Sequence, residues 1–372
     1  MTIGAANAER LLVLDPASFG LGRKCTVTPR PLGAGGSGLN VAARLLATGH
    51  AVFPILPVAP DGTGQALLQV LHDAAERGGQ TVNVESFMMD GDTSTTPLTT
   101  ILVLGDQRTV LSEFPDAIVR EFVVHWRRRL ARLGPVMPSA VVIGHIHADR
   151  PTSEQGQSGG ISQAVIEMFA ERGIPIFVNF GASQYTLGIA RWSHLLDRVA
   201  CLQLDIDEAR RFVHGEVRPT LHAMLDWFRD RCTVVITLER LGAVAQFRGS
   251  DSVIFAWPYD LPPDVIADTT GAGDAFVAGV VSSALDVPLE DEDALLKAVE
   301  KGRLWASYAC TTFGGANDCP THEQLAQFPI SHSLLLQSER RRMSEAVPLL
   351  RILDRSFAST APARSPSARP AG

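Results

Sequence analysis

The chain has 372 residues, of which 45% are hydrophobic and 20% are charged. This composition supplies a full apolar core, so it excludes a small disulfide-stapled module and a wholly disordered chain. The formal net charge of −7 argues against a general nucleic-acid binder. The length fits two domains, or one large α/β domain with an appendage.

The cysteines and the hydropathy pattern indicate where the protein resides. The cysteine number, five, is odd, and no two cysteines form a CxxC pair, which is typical of a reducing compartment. The first residues carry no basic region before an apolar run, and no stretch approaches 18 apolar residues. We therefore expect a cytoplasmic protein with no membrane partner.

Short apolar runs alternate with longer amphipathic ones along the chain. The predicted strands are Leu11–Leu14, Ala51–Val58, Leu98–Leu104, Thr109–Phe114, Ala140–Ile143, Ile176–Asn179, Val199–Leu204 and Val234–Leu238. The predicted helices are Gly38–Thr48, Gly64–Arg77, Ile161–Arg172, Leu221–Asp230 and Ala275–Leu285. The alternation predicts a mainly parallel sheet with helices on both faces. The hairpin pattern at 98–114 breaks this rhythm and predicts a small separate sheet.

The segment Asp268–Phe276, DTTGAGDAF, carries the strongest chemical signal. Its glycines allow neighbouring backbone N–H groups to converge, and an apolar helix follows, which together make an anion site. Asp274 falls in the first turn of that helix. A carboxylate beside an anion site either accepts a proton from an attacking hydroxyl or caps the helix, and the spacing alone leaves both roles open.

Two separated motifs resemble the signatures of the ribokinase family, the PfkB-type carbohydrate kinases. DTTGAGDAFVAG is similar to the C-terminal signature of this family. Gly35–Ala42, GGSGLNVA, followed by VAPDG at 58–62 and by Gly64, is similar to the N-terminal signature. The resemblance covers roughly residues 10–322. It implies a ribokinase-like three-layer α/β sandwich with a mainly parallel central sheet and a small β lid.

The resemblance also suggests how the chain is divided. A kinase domain is expected over residues 1–332, with lid strands within 15–35 and 92–115. Residues 333–372 are expected to form a partly disordered C-terminal extension, because the end of the chain is rich in Arg, Pro and Ser. We expect the tail from about Pro348 to be dispensable. A homodimer through the lid is a further expectation.

The activity implied by the resemblance is transfer of the γ-phosphoryl group of ATP to a primary hydroxyl of a sugar or sugar-like substrate. Asp274 would act as the base. The N–H groups of Gly271, Ala272 and Gly273 would hold the developing charge. The residues expected to bind the sugar are Gly35, Gly36, Asn40, Asp15 and His147.

Further positions match the nucleotide and cation sites of the family. The expected ATP-binding residues are Asn179, Asp205, Glu208, Thr237, Gly242 and Asn317. Asp205 and Glu208 are expected to reach Mg²⁺ through water. Asp268 and Thr270, with the late segment Thr312–Asn317, are expected to hold a monovalent cation, K⁺. Glu239 replaces a glycine of the nucleotide loop and is expected to weaken ATP binding.

Several alternatives remain beside this interpretation. GxGxxG at 33–38 formally matches a dinucleotide fingerprint, but it follows TPRP instead of a strand. His145 and His147 form an HxH pair that could bind a metal, although no further ligands support it. A nucleoside kinase of the same fold and a non-catalytic sugar-binding regulator are the alternative functions.

Overall fold

The computed structural model describes residues 1–15, 17, 19–20, 22, 24–82, 95–104, 107–149, 160–214, 219–332 and 337–358. The strands are β1 (Thr2–Ile3), β2 (Asn7–Leu14), β3 (Val27–Pro29), β4 (Gly33–Gly35), β5 (Pro54–Ile55), β6 (Leu98–Leu104), β7 (Gln107–Glu113), β8 (Val141–Ile143), β9 (Ile176–Asn179), β10 (Cys201–Asp205), β11 (Val234–Thr237), β12 (Ala243–Gln246), β13 (Ser252–Ala256) and β14 (Glu339–Arg342). The helices are α1 (Ser37–Ala47), α2 (Gly62–Arg77), α3 (Asp116–Ala131), α4 (Ile161–Ala170), α5 (Ala182–Tyr185), α6 (Ile189–Trp192), α7 (Ile206–His214), α8 (Leu221–Phe228), α9 (Ala272–Asp286), α10 (Glu292–Ala309), α11 (His322–Ser331) and α12 (Met343–Ala358).

A large twisted sheet forms the centre of the molecule. Its strand order is β14-β13-β12-β11-β10-β9-β8-β1-β5. The pairings from β5 to β11 are parallel, whereas β12, β13 and β14 pair antiparallel. The predicted mainly parallel sheet is therefore confirmed, with an antiparallel extension at one edge. β5 lies at the other edge, where the prolines of that segment are tolerated.

Helices cover both faces of this sheet. Successive strand residues point to opposite faces, so Val141 and Ile176 join one core while Val142 and Phe177 join the other. The first core includes residues of α3, α4, α7, α8 and α12, and the second includes residues of α1, α9, α10 and α11. This is the predicted three-layer α/β arrangement.

A small sheet lies beside the large one, in the order β3-β2-β6-β7, and β4 pairs with β2. The predicted strand Leu11–Leu14 belongs to this sheet and not to the central one. The first central strand is β1, whose two residues are too few to give a hydrophobic pattern. Val110 and Leu111 of β7 are 59% and 50% exposed. Association of two copies through this sheet stays a prediction.

The C-terminal segment is part of the fold as far as residue 358. β14 pairs with β13, and α12 buries an apolar stripe against the sheet. Its buried members are Met343, Ala346, Leu350, Leu353 and Phe357. The expectation of a dispensable tail from Pro348 is therefore wrong for residues 348–358. The helical spacing of this stripe was hidden by the surrounding arginines and proline.

Within the described ranges, no helix is both long enough and apolar enough to cross a bilayer. Residues 359–372, the rest of the predicted tail, lie outside the described residues.

Candidate active site

The anion nest forms where the loop after Asp268 enters α9. Gly271 is the N-cap residue, with φ of 73°, and a Cβ there would lie 2.9 Å from the Cα atom of Gly315. Only glycine tolerates both the left-handed backbone and this close approach. In the described part of the chain, the N–H groups of Gly271 and Gly273 donate to no acceptor, so they remain available to an anion.

The N–H group of Ala272, also predicted to hold the anion, is directed elsewhere. It donates to the carbonyl of Thr269 at 3.3 Å and closes the turn. Two of the three predicted donors therefore face the site without a protein acceptor. Beneath them, the buried Gln203 of β10 donates from Nε2 to the carbonyl of Gly273 at 2.9 Å and supports the turn. Gln203 carried no signal in the sequence beyond being a polar residue within a predicted strand.

Asp274 and Asn40 meet at the centre of the site. Nδ2 of Asn40 donates to Oδ2 of Asp274 at 2.7 Å, which joins α1 to the first turn of α9. Asn40 is 2% exposed, and its Oδ1 atom has no hydrogen-bond donor among the described residues. Gly36 begins α1 with φ of 96°, and a side chain there would collide with Ala5 and Ala6. The two motifs of the sequence thus form one site.

Glu9 is a third polar group at this site, and the sequence analysis did not identify it. Its carboxylate packs against Gly35, where any Cβ would collide with it, so Gly35 makes the space that Glu9 occupies. Burial raises the pKa of Glu9 to about 7, and the negative charges of Asp274 and Asp268 add to the rise. The sequence feature that could have indicated Glu9 is its position as an acidic residue on β2, five residues after Gly4.

Asp15, the predicted sugar ligand, lies elsewhere. It follows the far end of β2, is exposed, and accepts a hydrogen bond from the N–H group of Ala17 at 2.9 Å. Five residues lie between it and Glu9, and six steps of extended chain correspond to about 20 Å. The expectation failed because it treated the strand at 11–14 as the first strand of the central sheet. Of the two acidic residues, Glu9 is the one that lies against Gly35 and near Asp274.

His147 packs beneath the small sheet. Its ring stacks on Phe114, with centroids 3.4 Å apart, just after β7. His145 follows β8, and its backbone N–H group donates to Oγ of Ser37 at 2.7 Å. Burial lowers the pKa of the His145 ring. No cluster of three metal-ligating side chains occurs among the residues that the structure describes, so the HxH pair has no third ligand there. A sugar contact by His147 stays a prediction.

The predicted nucleotide residues lie at the carboxyl ends of neighbouring strands. Asn179 ends β9, Asp205 ends β10 and Thr237 ends β11, where Asp205 and Thr237 are partners in the sheet register. Glu208 reaches back from the first turn of α7, and its carboxylate accepts from the Asp205 N–H group at 2.9 Å. The Asp205 carboxylate accepts from the Glu208 N–H group at 2.7 Å, so the two residues cap α7 together.

Ionisation of Glu208 is nevertheless unfavourable. Burial raises its pKa to about 8, and the negative charges of Asp205 and Asp274 contribute to the rise. A cation between these carboxylates would relieve the repulsion. The donor set therefore fits Mg²⁺, which prefers oxygen ligands and keeps several waters.

The loop after β11 adopts an unusual backbone. Glu239 has φ of 49°, in the left-handed region, although its side chain is exposed. Gly242 has φ of 92°, and any Cβ there would collide with the Ala256 carbonyl. Gly242 is thus required by geometry, whereas Glu239 occupies a conformation that favours glycine.

Asn317 contacts the small sheet. Its Oδ1 atom accepts from the Ala34 N–H group on β4 at 2.9 Å. This hydrogen bond joins the late loop to β4. Binding of ATP by Asn317 stays a prediction.

Comparison with known proteins agrees with this arrangement. Residues 165–322 match the model of the family described as pfkB family carbohydrate kinase. No curated protein matches the chain.

Solved structures share the fold along most of the chain. An Arabidopsis thaliana ribokinase solved with ribose and ATP is 17% identical, with a TM-score of 0.63, covering 88% of this chain and 97% of its own. A carbohydrate kinase from Agrobacterium tumefaciens is 16% identical, with a TM-score of 0.63, covering 91% and 98%. A Burkholderia thailandensis nucleoside kinase solved with inosine is 15% identical, with a TM-score of 0.61, covering 88% and 96%.

The structural neighbours establish the ribokinase-like fold, and the family match over residues 165–322 includes the nest and Asp274 but not the N-terminal motif. The resemblance of this chain to the pfkB family of carbohydrate kinases, indicated by its two motifs, is therefore confirmed.

Proposed function

We propose that the protein transfers the γ-phosphoryl group of ATP to a hydroxyl group of a sugar or sugar-like molecule. One observation carries the proposal: Asp274 lies beside an anion nest and is hydrogen-bonded to Asn40 of the helix that begins at the glycine pair. A base, an anion site and a polar substrate group thus lie together. Such a grouping suits proton abstraction from a hydroxyl that attacks phosphorus.

Different residues of the site would bind the acceptor, remove its proton and stabilise the phosphoryl group. Asn40 presents its unpartnered Oδ1 atom as an acceptor for a substrate hydroxyl. Asp274 accepts the proton of the attacking hydroxyl, and the N–H groups of Gly271 and Gly273 stabilise charge on the phosphoryl oxygens. Asp205 and Glu208 would hold Mg²⁺, which neutralises the polyphosphate of ATP when bound.

Glu9 gives the acceptor site its selectivity. A carboxyl group with a pKa of about 7 can donate or accept a hydrogen bond near neutral pH. Together with Asn40 it favours an acceptor with adjacent hydroxyl groups. A nucleoside offers such a pair on its ribose, so nucleosides form the second class of candidate acceptors, and the fold shared with a nucleoside kinase supports their inclusion.

The experiment is a measurement of ADP release with purified protein, ATP and Mg²⁺ across sugars, sugar acids and nucleosides. Phosphorylated product is identified by mass spectrometry, which separates transfer from ATP hydrolysis. We expect phosphorylation of at least one polyhydroxylated acceptor and loss of turnover in Asp274→Asn. Binding of an acceptor without any phosphorylated product would instead indicate a regulatory sugar-binding protein.

A further inference from the structure

A buried arginine lies directly behind the candidate active site. Arg44 follows Asn40 by one turn of α1 and is 2% exposed. Its Nη1 atom donates to the carbonyl of Gly315 and, at 3.3 Å, to the carbonyl of Asn40. No ion pair to Arg44 occurs within the described residues. A charge buried without a direct partner is costly, so its retention calls for an explanation.

The surroundings of Arg44 are negative. Glu9, Asp268 and Asp274 bring three carboxyl groups to the site, and the charges of Asp268 and Asp274 raise the pKa of Glu9. Arg44 acts in the opposite direction and lowers that pKa. A positive charge at this place therefore stabilises the ionised carboxylates, which is the electrostatic task of a bound cation.

The oxygen atoms that Asp268 and Gly315 would offer to a monovalent cation already accept hydrogen bonds from the protein. Such an ion needs carbonyl and carboxylate oxygens that converge on it in place of water. Here Oδ1 of Asp268 accepts from the N–H and hydroxyl groups of Thr270 at 2.9 and 2.8 Å. Its Oδ2 atom accepts from the Gly314 N–H group at 3.1 Å. The Gly315 carbonyl accepts from Arg44, so protein donors already bind these oxygens.

Arg44 also occupies a position from which it can organise the site. Its guanidinium donates a hydrogen bond to the carbonyl of Gly315, and Gly315 packs against Gly271 at the start of the anion nest. The guanidinium also donates to the carbonyl of Asn40, and the side chain of Asn40 donates to Asp274. One guanidinium thus connects the substrate helix, the late loop and, through Gly315, the nest.

We propose that the guanidinium of Arg44 is the resident cation of this site, so that the protein works without a monovalent metal ion. Arg44 is a positioning residue: it holds Gly315 and Asn40 where the nest and Asp274 need them. The effect on turnover rests on the proposed function, whereas the effect on folding stability does not.

The first experiment compares the melting temperature (Tm) of the wild-type protein in KCl, NaCl and choline chloride at equal ionic strength. If the protein bound K⁺, a KCl concentration many times the Kd would raise Tm by several degrees. We expect the three values to agree within about 1 °C, because the site has its own charge. A clear and selective rise with K⁺ would overturn the proposal. This measurement needs no substrate, so it is independent of whether the kinase activity is correct.

The second experiment replaces the guanidinium. Arg44→Met should lower Tm, and added guanidinium or K⁺ should restore part of the loss by entering the vacated space. Arg303→Met is the control: Arg303 is also buried and donates to a carbonyl, but that carbonyl belongs to Trp257, just after β13, and Arg303 also pairs with Glu300 at 3.7 Å. Its loss of stability should not respond to either cation. The proposal would be contradicted if Arg44→Met folds and its Tm does not rise with either added guanidinium or added K⁺.

If Arg44→Met does not fold, Arg44→Lys provides the test. Lysine keeps the charge but cannot reach two carbonyls with one planar fork. We expect it to fold, with kcat roughly 10- to 100-fold lower and the KM for ATP little changed, because a displacement of about 1 Å in the catalytic geometry costs about 100-fold. Unchanged kcat in Arg44→Lys, or in a folded Arg44→Met, would exclude the positioning role.

Discussion

Asn40 and Asp274 are 234 positions apart in the chain, yet Nδ2 of Asn40 donates to Oδ2 of Asp274 at 2.7 Å. The bond fixes the carboxylate and leaves the Oδ1 atom of Asn40 for another partner. It therefore joins the group proposed to bind the acceptor to the group proposed to deprotonate it. This arrangement separates the two roles that the sequence left open for Asp274, because Gly271, not Asp274, caps the helix.

Asp274→Asn should greatly reduce kcat without unfolding the protein. An amide cannot accept the hydroxyl proton, so kcat should fall by roughly 10²–10⁴. The new side chain can still present an oxygen to Asn40, so Tm should change little. ATP affinity should hold or improve, since a negative charge leaves the nest. Glu323→Gln, in the first turn of α11, is the control and should keep full turnover. Near-normal kcat in Asp274→Asn would remove Asp274 from the base role.

The raised pKa of Glu9 should make folding stability depend on pH. Its folded-state pKa of about 7 lies above the ordinary 4.5, so between these values the folded protein holds a proton that the unfolded chain has lost. Folding stability should therefore fall as pH rises from about 4.5 to 7, by at most about 3 kcal/mol. Glu9→Gln should remove this dependence and raise Tm at pH 8. The measurement is Tm against pH for both proteins.

A matched variant distinguishes this effect from general charge. Glu113→Gln removes a carboxylate from β7 of the same small sheet, where the side chain is exposed. It should leave the pH dependence of Tm unchanged. The KM for the acceptor should rise in Glu9→Gln but not in Glu113→Gln. If both variants behave alike, the pH dependence does not originate at Glu9.

Regular patterns were predictable from sequence, whereas contacts between distant segments were not. The helix of Asn40 has an apolar face and the helix of Asp274 is apolar along most of its length, and both begin beside glycines, so both helices could be predicted from the sequence. Glu9 was missed because β1 has only two residues, which shifted the expected strand end to Asp15. Arg44 lies among the apolar residues in the second half of α1, and only the folded chain shows that its guanidinium donates to the Gly315 carbonyl.

The end of the ordered C-terminal helix can be tested by truncation. A chain ending at Ala358 should keep the Tm and turnover of the full chain, as expected for the remaining tail. A chain ending at Val347 loses Leu350, Leu353 and Phe357 from the core. Each buried side chain contributes about 2–5 kcal/mol, and a protein has only about 5–15 kcal/mol in total. The shorter chain should therefore fail to fold, as judged by circular dichroism. A native Tm for it would mean that α12 does not pack on the sheet in solution.

Glu239 combines two effects that a pair of variants can separate. Its φ of 49° is unfavourable for a side chain, and its charge follows the strand where the phosphates of ATP are expected. Glu239→Gly should relieve the backbone and stabilise the fold by about 1 kcal/mol. Glu239→Ala removes the charge but keeps the unfavourable conformation, so it should not raise Tm. Because the side chain is exposed, the charge should weaken ATP binding by no more than about fivefold.

Calorimetry of ATP binding and thermal melting, carried out on both variants, provide the test. If the charge matters, both substitutions tighten ATP binding to a similar degree, and the gain shrinks at high salt because exposed charges are screened. If only the unfavourable backbone conformation has an effect, Glu239→Gly changes ATP affinity or Tm and Glu239→Ala changes neither. Weaker binding in both variants would show that Glu239 supports the loop or contacts the nucleotide favourably, which would reverse the expectation drawn from the missing glycine.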